Sequence, residues 1–585
     1  MKNSVFALAL LTASFGCRAT AVRPPNPEGP AVATRSAPLF PASWPFQSGK
    51  EAAFAPHGMV SSNAPLASAA GVDIMRRGGN AVDAAVAVGF ALAVTYPEAG
   101  NIGGGGYMVI RMADGRVAAL DYREVAPRAA TRDMYLDSAG RMTDRSIVGH
   151  LASGVPGSVA GLIEAQRRFG RLELAEVMAP AIRLAEEGFV VDSALGRSFA
   201  RDAELIARFE GGALFVPGGV PLARGSRLVQ PDLARTLREI ARRGADGFYR
   251  GWVADSLVAE MRRGGGIISH DDLRRYRAVW REPLRSTYRG FTLLTMPPSS
   301  SGGVTVTETL NILETVSTLP PFGTAAYFHV LASAYQRAFI DRNEKLGDPA
   351  FVRVPIATLT SKQYAQKVAA TIASDRATPT AVLETKLRAL REGNETTHYS
   401  VVDSLGNAVA TTTTLNGLPG SGVWVRGAGF FMNNEMDDFA TQPGTPNMYG
   451  LVQGEANAIQ PGKRMLSAMS PTIVLDPAGD LLLVVGARGG PRIITTTSQI
   501  IINVIDHRMS LADAMSAPRV HHQALPDSLR HERDAIDPTA ADSLRAMGHG
   551  LSQGAAAGQA HAVMRVKGGW VGFVDPRASG AAVGY

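Results

Sequence analysis

The strand-like segments of this chain are gathered near its two ends, and that placement limits its fold more than any other feature. Short β-branched or alternating runs occupy 107–111 and 117–122, the second following the turn Asp114-Gly115. Further runs occupy 398–403, 407–415, 429–433, 472–476, 481–485, 562–566 and 570–574. Between the two groups the periodicity is helical, at 157–169, 175–187, 229–243, 253–262, 303–315, 325–340 and 361–373. Ala-rich stretches at 64–75 and 80–94 add two helices before the first strands. The pattern predicts one sheet system assembled from both halves of the chain, with helices over its outer faces.

With 585 residues, 45% of them hydrophobic and 19% charged, the chain has ample material for a large core. A prior of roughly 150 residues per domain allows about four domains, although layered α/β enzymes often run long as one unit. The net charge of +7 is spread over 59 basic and 52 acidic residues. No dense Lys/Arg block occurs, which argues against nucleic acid as a partner. Lys2 precedes an apolar run at 5–16 that is too short to span a bilayer, and Ala19-Thr20-Ala21 supplies small residues for cleavage. Residues 1–21 therefore read as a signal peptide for secretion or periplasmic export, and 22–48 as a flexible Pro/Ala/Ser-rich leader. Cys17 is the single cysteine, so no intramolecular disulfide can form. Two readings of Cys17 stay open: a lipid anchor, or a cysteine that leaves with the signal.

The character of the chain changes at 374–395, which is polar and ends in Arg391-Glu392-Gly393-Asn394-Glu395. This is the best candidate for an exposed internal joint. Immediately after it a strand begins with Thr396-Thr397-His398-Tyr399. A threonine hydroxyl is a weak nucleophile and needs a base. A free α-amine on the same residue, with a pKa near about 8, can serve as that base. Such an arrangement demands a break before Thr396, which would form if Thr396 attacked the Glu395 carbonyl and water hydrolysed the ester. On spacing alone, Thr-Thr at the start of a strand is first of all a mark of β-propensity.

Longer motifs add to this. Thr396 to Asp403 followed by Gly406-Asn407-Ala408-Val409-Ala410 resembles the self-processing site of the γ-glutamyltranspeptidases. Asn80-Ala81-Val82-Asp83, Asn101-Ile102-Gly103-Gly104-Gly105-Gly106, Arg123-Glu124-Val125-Ala126-Pro127 and Pro298-Ser299-Ser300-Ser301-Gly302-Gly303 resemble the same family, in the same order. So do Asn433-Asn434-Glu435-Met436-Asp437-Asp438-Phe439 and Ser470-Pro471-Thr472. The resemblance covers about residue 50 to the end.

That resemblance implies an α/β fold, an αββα four-layer sandwich of the N-terminal-nucleophile hydrolase type. It implies a large subunit, 49–395, and a small subunit, 396–585, which form one domain after cleavage between Glu395 and Thr396. The implied activity is removal of the γ-glutamyl group from glutathione and similar donors. The group passes through a threonine ester to water, or to an amino acid or dipeptide acceptor, and no cofactor is required. Thr396 would be the nucleophile and Thr414 its hydrogen-bonding partner, with Gly489 and Gly490 holding the oxyanion through their N–H groups. Arg123 and Ser467 would bind the donor's α-carboxylate. Asp438, helped by Asn416 and Glu435, would bind its α-ammonium, and Tyr449 would sit on a lid.

The chain departs from the family pattern in places. Ser467-Ala468 stands where two serines are common, Ala487-Arg488 where Ser-Pro is usual, and Met465 where proline is frequent. Arg488 is expected to add charge beside the site. Other motifs carry less. A dinucleotide-type frame from Gly103 would need glycine at Met108, and the run leads into a strand. The run is better read as a tight turn near the nucleophile. His521 and His522, adjacent on a strand, point to opposite faces, so no metal is expected. Two rivals stay open: a related acylase for glutaryl or cephalosporin side chains, and an uncleaved, inactive binding protein. An Asp438 poised for an ammonium favours the γ-glutamyl reading over the first, and an intact Glu395-Thr396 junction speaks against the second.

Overall fold

The computed structural model describes residues 51–383, 396–442, 444–445, 447–448 and 451–585. The signal-like run, the leader to residue 48, Cys17, Glu395 and Tyr449 lie outside the described residues. Two seven-stranded sheets occupy the middle of the molecule. One runs, edge to edge, Ala581–Gly584, Met59–Ser62, Thr397–Val402, Ala408–Thr414, Gly105–Arg111, Val117–Asp121 and Val279–Arg281. The other runs Ala53–Ala55, Gly569–Val574, Gln559–Val566, Leu481–Arg488, Thr472–Leu475, Phe291–Thr295 and Leu284–Tyr288. Every pairing within the two sheets is antiparallel. Each sheet mixes strands from before and after residue 396, so a break there would leave the two pieces interleaved in both sheets.

The sheets face each other, with Thr397–Val402 packed on Leu481–Arg488 and Gln559–Val566. Helices Pro65–Arg76 and Ala81–Thr95 cover the outer face of the first sheet. Helices Gly302–Glu314 and Arg492–Ile505 cover the second, with Ala325–Lys345 packed on Gly302–Glu314. The result is four layers in the order αββα.

Local sequence explains these layers. All of Ala81–Thr95 is buried, as suits a helix that is apolar on every side. Asn80 and Asp83 form a reciprocal capping box that fixes its start. Thr397–Val402 is buried along its whole length, so both of its faces pack. Tyr399 and Val401 join the core under the helices, whereas Val402 joins the core of the opposite sheet. His398 turns inward between the sheets, where Nδ1 lies 2.8 Å from Thr412 Oγ1 and Nε2 lies 3.1 Å from Ser400 Oγ. Gly486 faces that ring so closely that a Cβ would lie 2.4 Å from His398 Cε1. Only glycine allows the two sheets to meet at this spacing.

The expected helices and most expected strands are present. Two differences stand out. The hairpin Leu284–Tyr288 and Phe291–Thr295 sits within the stretch read as helical. Conversely, 429–433 forms no strand, because Trp424 and Phe431 meet only in an isolated bridge.

Candidate active site

Thr396 ends up at a sheet corner because of register. Thr397 pairs with Thr413, so the next residues outward, Thr396 and Thr414, reach the same end of two adjacent strands. Both are almost fully buried and line one cleft of about 340 Å³. Arg123, Arg342, Asn416, Asp438, Ser467 and Gly490 line the same cleft. The Gly103–Gly106 run lies close by, and a Cβ on Gly104 would lie 2.1 Å from Thr414 O. Its glycines therefore serve close backbone approach, and Asn101 holds the bend by accepting from Gly104 N at 3.0 Å and donating to Thr414 O at 2.9 Å.

Arg123 follows the strand Val117–Asp121, and its backbone is fixed on both sides. Asp121 Oδ1 accepts from Arg123 N at 3.1 Å, and Tyr276 donates to Arg123 O at 2.8 Å. Asp121 itself is held by Arg281 at 2.8 Å and Arg464 at 3.1 Å. The Arg123 guanidinium then meets Glu435 Oε2 at 2.6 Å and bonds to Asp438, both on the short helical turn Glu435–Asp438. Glu124 lies 3.8 Å from the same guanidinium. Burial pulls the Arg123 pKa down, but Glu435 and Asp438 outweigh it and the net direction is upward. For the acids burial is the larger influence, against the pull of Arg123. It pushes Asp438 and Glu435 up and lifts Glu124 to about 8.

The remaining polar groups are held by backbone. Asn416 adopts φ +72°, a conformation asparagine tolerates, with its N–H donating to Thr414 Oγ1 at 2.7 Å and its Nδ2 to Asn434 O at 3.0 Å. Ser467 Oγ accepts from Met469 N at 3.1 Å, while Ser467 O accepts from Ser301 N at 2.8 Å. Gly489 and Gly490 have φ +130° and +55°, which favour glycine, and they lead directly into Arg492–Ile505. Gly489 O accepts from Arg492 Nε at 3.1 Å, which fixes this turn at the positive end of the helix.

Thr396, Thr414, Gly490, Arg123, Asn416, Asp438 and Ser467 thus line one cleft, with Gly489 adjacent and Glu435 behind Arg123. Glu395 and Tyr449 lie outside the described residues. The described neighbours of Tyr449 do reach the acidic turn: Asn447 Nδ2 donates to Asp438 Oδ1 at 3.3 Å, and Met448 N to Asp437 Oδ2 at 2.9 Å. Arg488, next to Gly489, bonds to Tyr96 Oη and pairs with Glu98 at 3.5 Å. His521 is engaged by Thr495 and by Gln523, each at 2.9 Å. Arg342 is the site residue that sequence reasoning missed. A helix continued past residue 340 would have carried it to the cleft, since Ala325–Lys345 runs one turn further.

Comparisons with known proteins identify the family. The gamma-glutamyltranspeptidase family model matches residues 67–585. The glutathione hydrolase proenzyme of Escherichia coli (strain K12) is 46% identical over 528 residues, 89% of this chain and 91% of that protein. The acylase ACY 1 proenzyme of Pseudomonas sp. (strain SE83) is 42% identical over 515 residues, 86% of this chain and 89% of that protein. The crystal structure of cephalosporin acylase from Bacillus halodurans matches with a TM-score of 0.79 at 27% identity, covering 94% of this chain and 99% of that one. The four-layer arrangement is the α/β sandwich of the N-terminal-nucleophile hydrolases. With its fold and nearly its whole length in common with these proteins, the chain belongs to the γ-glutamyltranspeptidase family.

Proposed function

We propose that this chain is a self-processing γ-glutamyltransferase and glutathione hydrolase. The observation that carries the reading is the shared cleft, where the strand-initial Thr396 meets Arg123, Asp438, Ser467 and Gly490. Thr396 Oγ1 attacks the Glu395 carbonyl, the peptide shifts to an ester, and water releases the large subunit 49–395 from the small subunit 396–585. The two remain together as a heterodimer, since both sheets draw strands from each. Export of the precursor uses residues 1–21.

The new α-amine of Thr396 then acts as base. It takes the proton of its own hydroxyl as Oγ1 attacks the donor's γ-carbonyl carbon. N–H groups of Gly489 and Gly490 hold the oxyanion, and Thr414 orients the nucleophile. Collapse forms the γ-glutamyl ester and releases the amine, which carries away the proton. Water, an amino acid or a dipeptide next attacks the ester, giving glutamate or a new γ-glutamyl compound. A zwitterionic head group fits the charged wall without leaving a charge unmatched. Its carboxylate goes to Arg123 and Ser467, and its ammonium to Asp438, Asn416 and Glu435. Tyr449 is assigned to a lid by the family resemblance alone. No step requires a cofactor.

Intact mass under denaturing conditions, with N-terminal sequencing, tests the first step. The expected result is two chains, the smaller beginning Thr-Thr-His-Tyr. Thr396→Ala should remain one chain, whereas Thr397→Ala should still be cut. Cleavage that survives Thr396→Ala refutes the assignment, and an aged, folded wild type that stays whole favours the binding-protein reading. The acylase reading is separated by rates on γ-glutamyl and glutaryl anilides, and faster turnover of the glutaryl compound would establish it.

A further inference from the structure

The cleft holds two buried guanidinium groups with very different surroundings. Arg123 is matched by Glu435 and Asp438. Arg519, equally buried elsewhere in the fold, is matched by Asp575 at 2.6 Å. Arg342 lies in the last turn of Ala325–Lys345, is 1% exposed and also lines the cleft. Among the described residues it pairs with no carboxylate. Nε donates to Ser301 Oγ at 2.9 Å and Nη1 to Asn343 Oδ1 at 2.7 Å. Those contacts are neutral and use two of its five N–H groups. Asp438 is the one charge that raises its pKa, against a burial effect that brings it down to about 10.

A buried cation without a counterion is costly, so a fold that keeps one beside a reactive threonine has a use for it. The position of the group suggests that use. Ser301 Oγ, which Arg342 holds, donates in turn to Ser467 O at 2.5 Å, and Ser467 lines the same cleft. Arg123, by contrast, must share its N–H groups with two carboxylates before any donor arrives.

We infer that Arg342 is a second recognition residue for the acyl donor, supplying guanidinium N–H groups to the donor's α-carboxylate alongside Arg123 and Ser467. This rests on the γ-glutamyl reading of the cleft. A donor carboxylate would provide the countercharge that Arg342 lacks, and a bidentate guanidinium is suited to it. Ligands without that carboxylate would leave Arg342 as it is. Discrimination at this position is therefore by charge count on the donor side, independent of the ammonium held at Asp438.

The test uses processed enzyme, with cleavage before Thr396 verified by mass, and measures competitive inhibition of γ-glutamyl anilide turnover. Three inhibitors separate the charges: L-glutamate, glutarate, which lacks the ammonium, and 4-aminobutyrate, which lacks the α-carboxylate. Arg342→Gln is expected to weaken L-glutamate and glutarate by roughly 10- to 100-fold, the range of a charged hydrogen bond, and to leave 4-aminobutyrate within about twofold. Arg342→Lys, which keeps the charge if the glutamine variant does not process, should lose less than Arg342→Gln and in the same pattern. Ser301→Ala separates recognition from support of Ser467. Equal weakening of all three inhibitors by the Arg342 variants, matched by Ser301→Ala, would overturn the inference and leave Arg342 a support for Ser467. A wild type that turns over no γ-glutamyl anilide would instead refute the underlying reading.

Discussion

On one side of the cleft Arg123, Glu435 and Asp438 meet side chain to side chain, whereas on the other Gly489 and Gly490 offer only backbone N–H groups at the start of Arg492–Ile505. Both sides stabilise charge, but by different means. The side-chain wall is built of ionisable groups at high desolvation cost, visible in the upward shifts of Glu124, Glu435 and Asp438. The backbone wall carries partial charges fixed by two left-handed glycines and by Arg492, and nothing in it titrates. A charged wall suits discrimination between head groups. A fixed dipolar wall suits an oxyanion that exists only in the transition state.

The largest test of this contrast removes the cation from the charged wall. Arg123→Gln leaves Glu435 and Asp438 buried without the guanidinium they pair with and, on the proposed reading, removes a partner of the donor carboxylate. Truncating one partner of a buried, hydrogen-bonded charge pair with a ligand costs about 2–5 kcal/mol, so kcat/KM on a γ-glutamyl anilide should fall on the order of 10²- to 10³-fold, with KM raised. Processing at Thr396 should continue, because the proposed cleavage gives Arg123 no role. An activity within about tenfold of wild type would mean that the charged wall does not bind the donor.

A smaller effect of the opposite kind is expected from the backbone wall. Gly490→Ala forces an alanine into φ +55°, at about 1–2 kcal/mol of strain, and shifts the N–H groups proposed to hold the oxyanion. A fall in kcat of about 10- to 100-fold with nearly unchanged KM is the signature of lost transition-state stabilisation. Steady-state kinetics on the same anilide reads both constants. A raised KM with intact kcat would place Gly490 in donor binding and erase the distinction between the two walls.

These two walls were unequally legible in the sequence. Asn80 with the Ala-rich Ala81–Thr95 announces its helix, and the β-branched run after Thr396 announces its strand, because cap, length and composition are local signals. The turn Glu435–Asp438 and the loop at Gly489 carry none, so they were readable only through likeness to a family. The pairing of Arg123 with Glu435 joins distant parts of the chain, and spacing cannot encode it. Arg342 escaped notice because apolar periodicity fades after Ile340, where Asp341 and Lys345 extend the helix by an ion pair on its polar side. The hairpin of Leu284–Tyr288 and Phe291–Thr295 escaped because its strands are five residues long and the inward position between Arg285 and Thr287 is the polar Ser286, so the alternation of exposure has no matching alternation of apolar residues.

The smallest effect concerns Ala468, which lines the cleft beside Ser467 where a second serine is common in the family. Its methyl group contributes contact but no hydrogen bond to the charged wall. Ala468→Ser places a hydroxyl within the same cleft, next to the serine assigned to the donor carboxylate. A neutral donor to a carboxylate is worth about 1 kcal/mol, so KM for a γ-glutamyl anilide should fall about fivefold while kcat stays within about twofold. The gain should also appear with glutarate as an inhibitor and be absent with 4-aminobutyrate, since only the first keeps the α-carboxylate. If both inhibitors tighten equally, the added hydroxyl acts on packing, and the carboxylate pocket ends at Ser467.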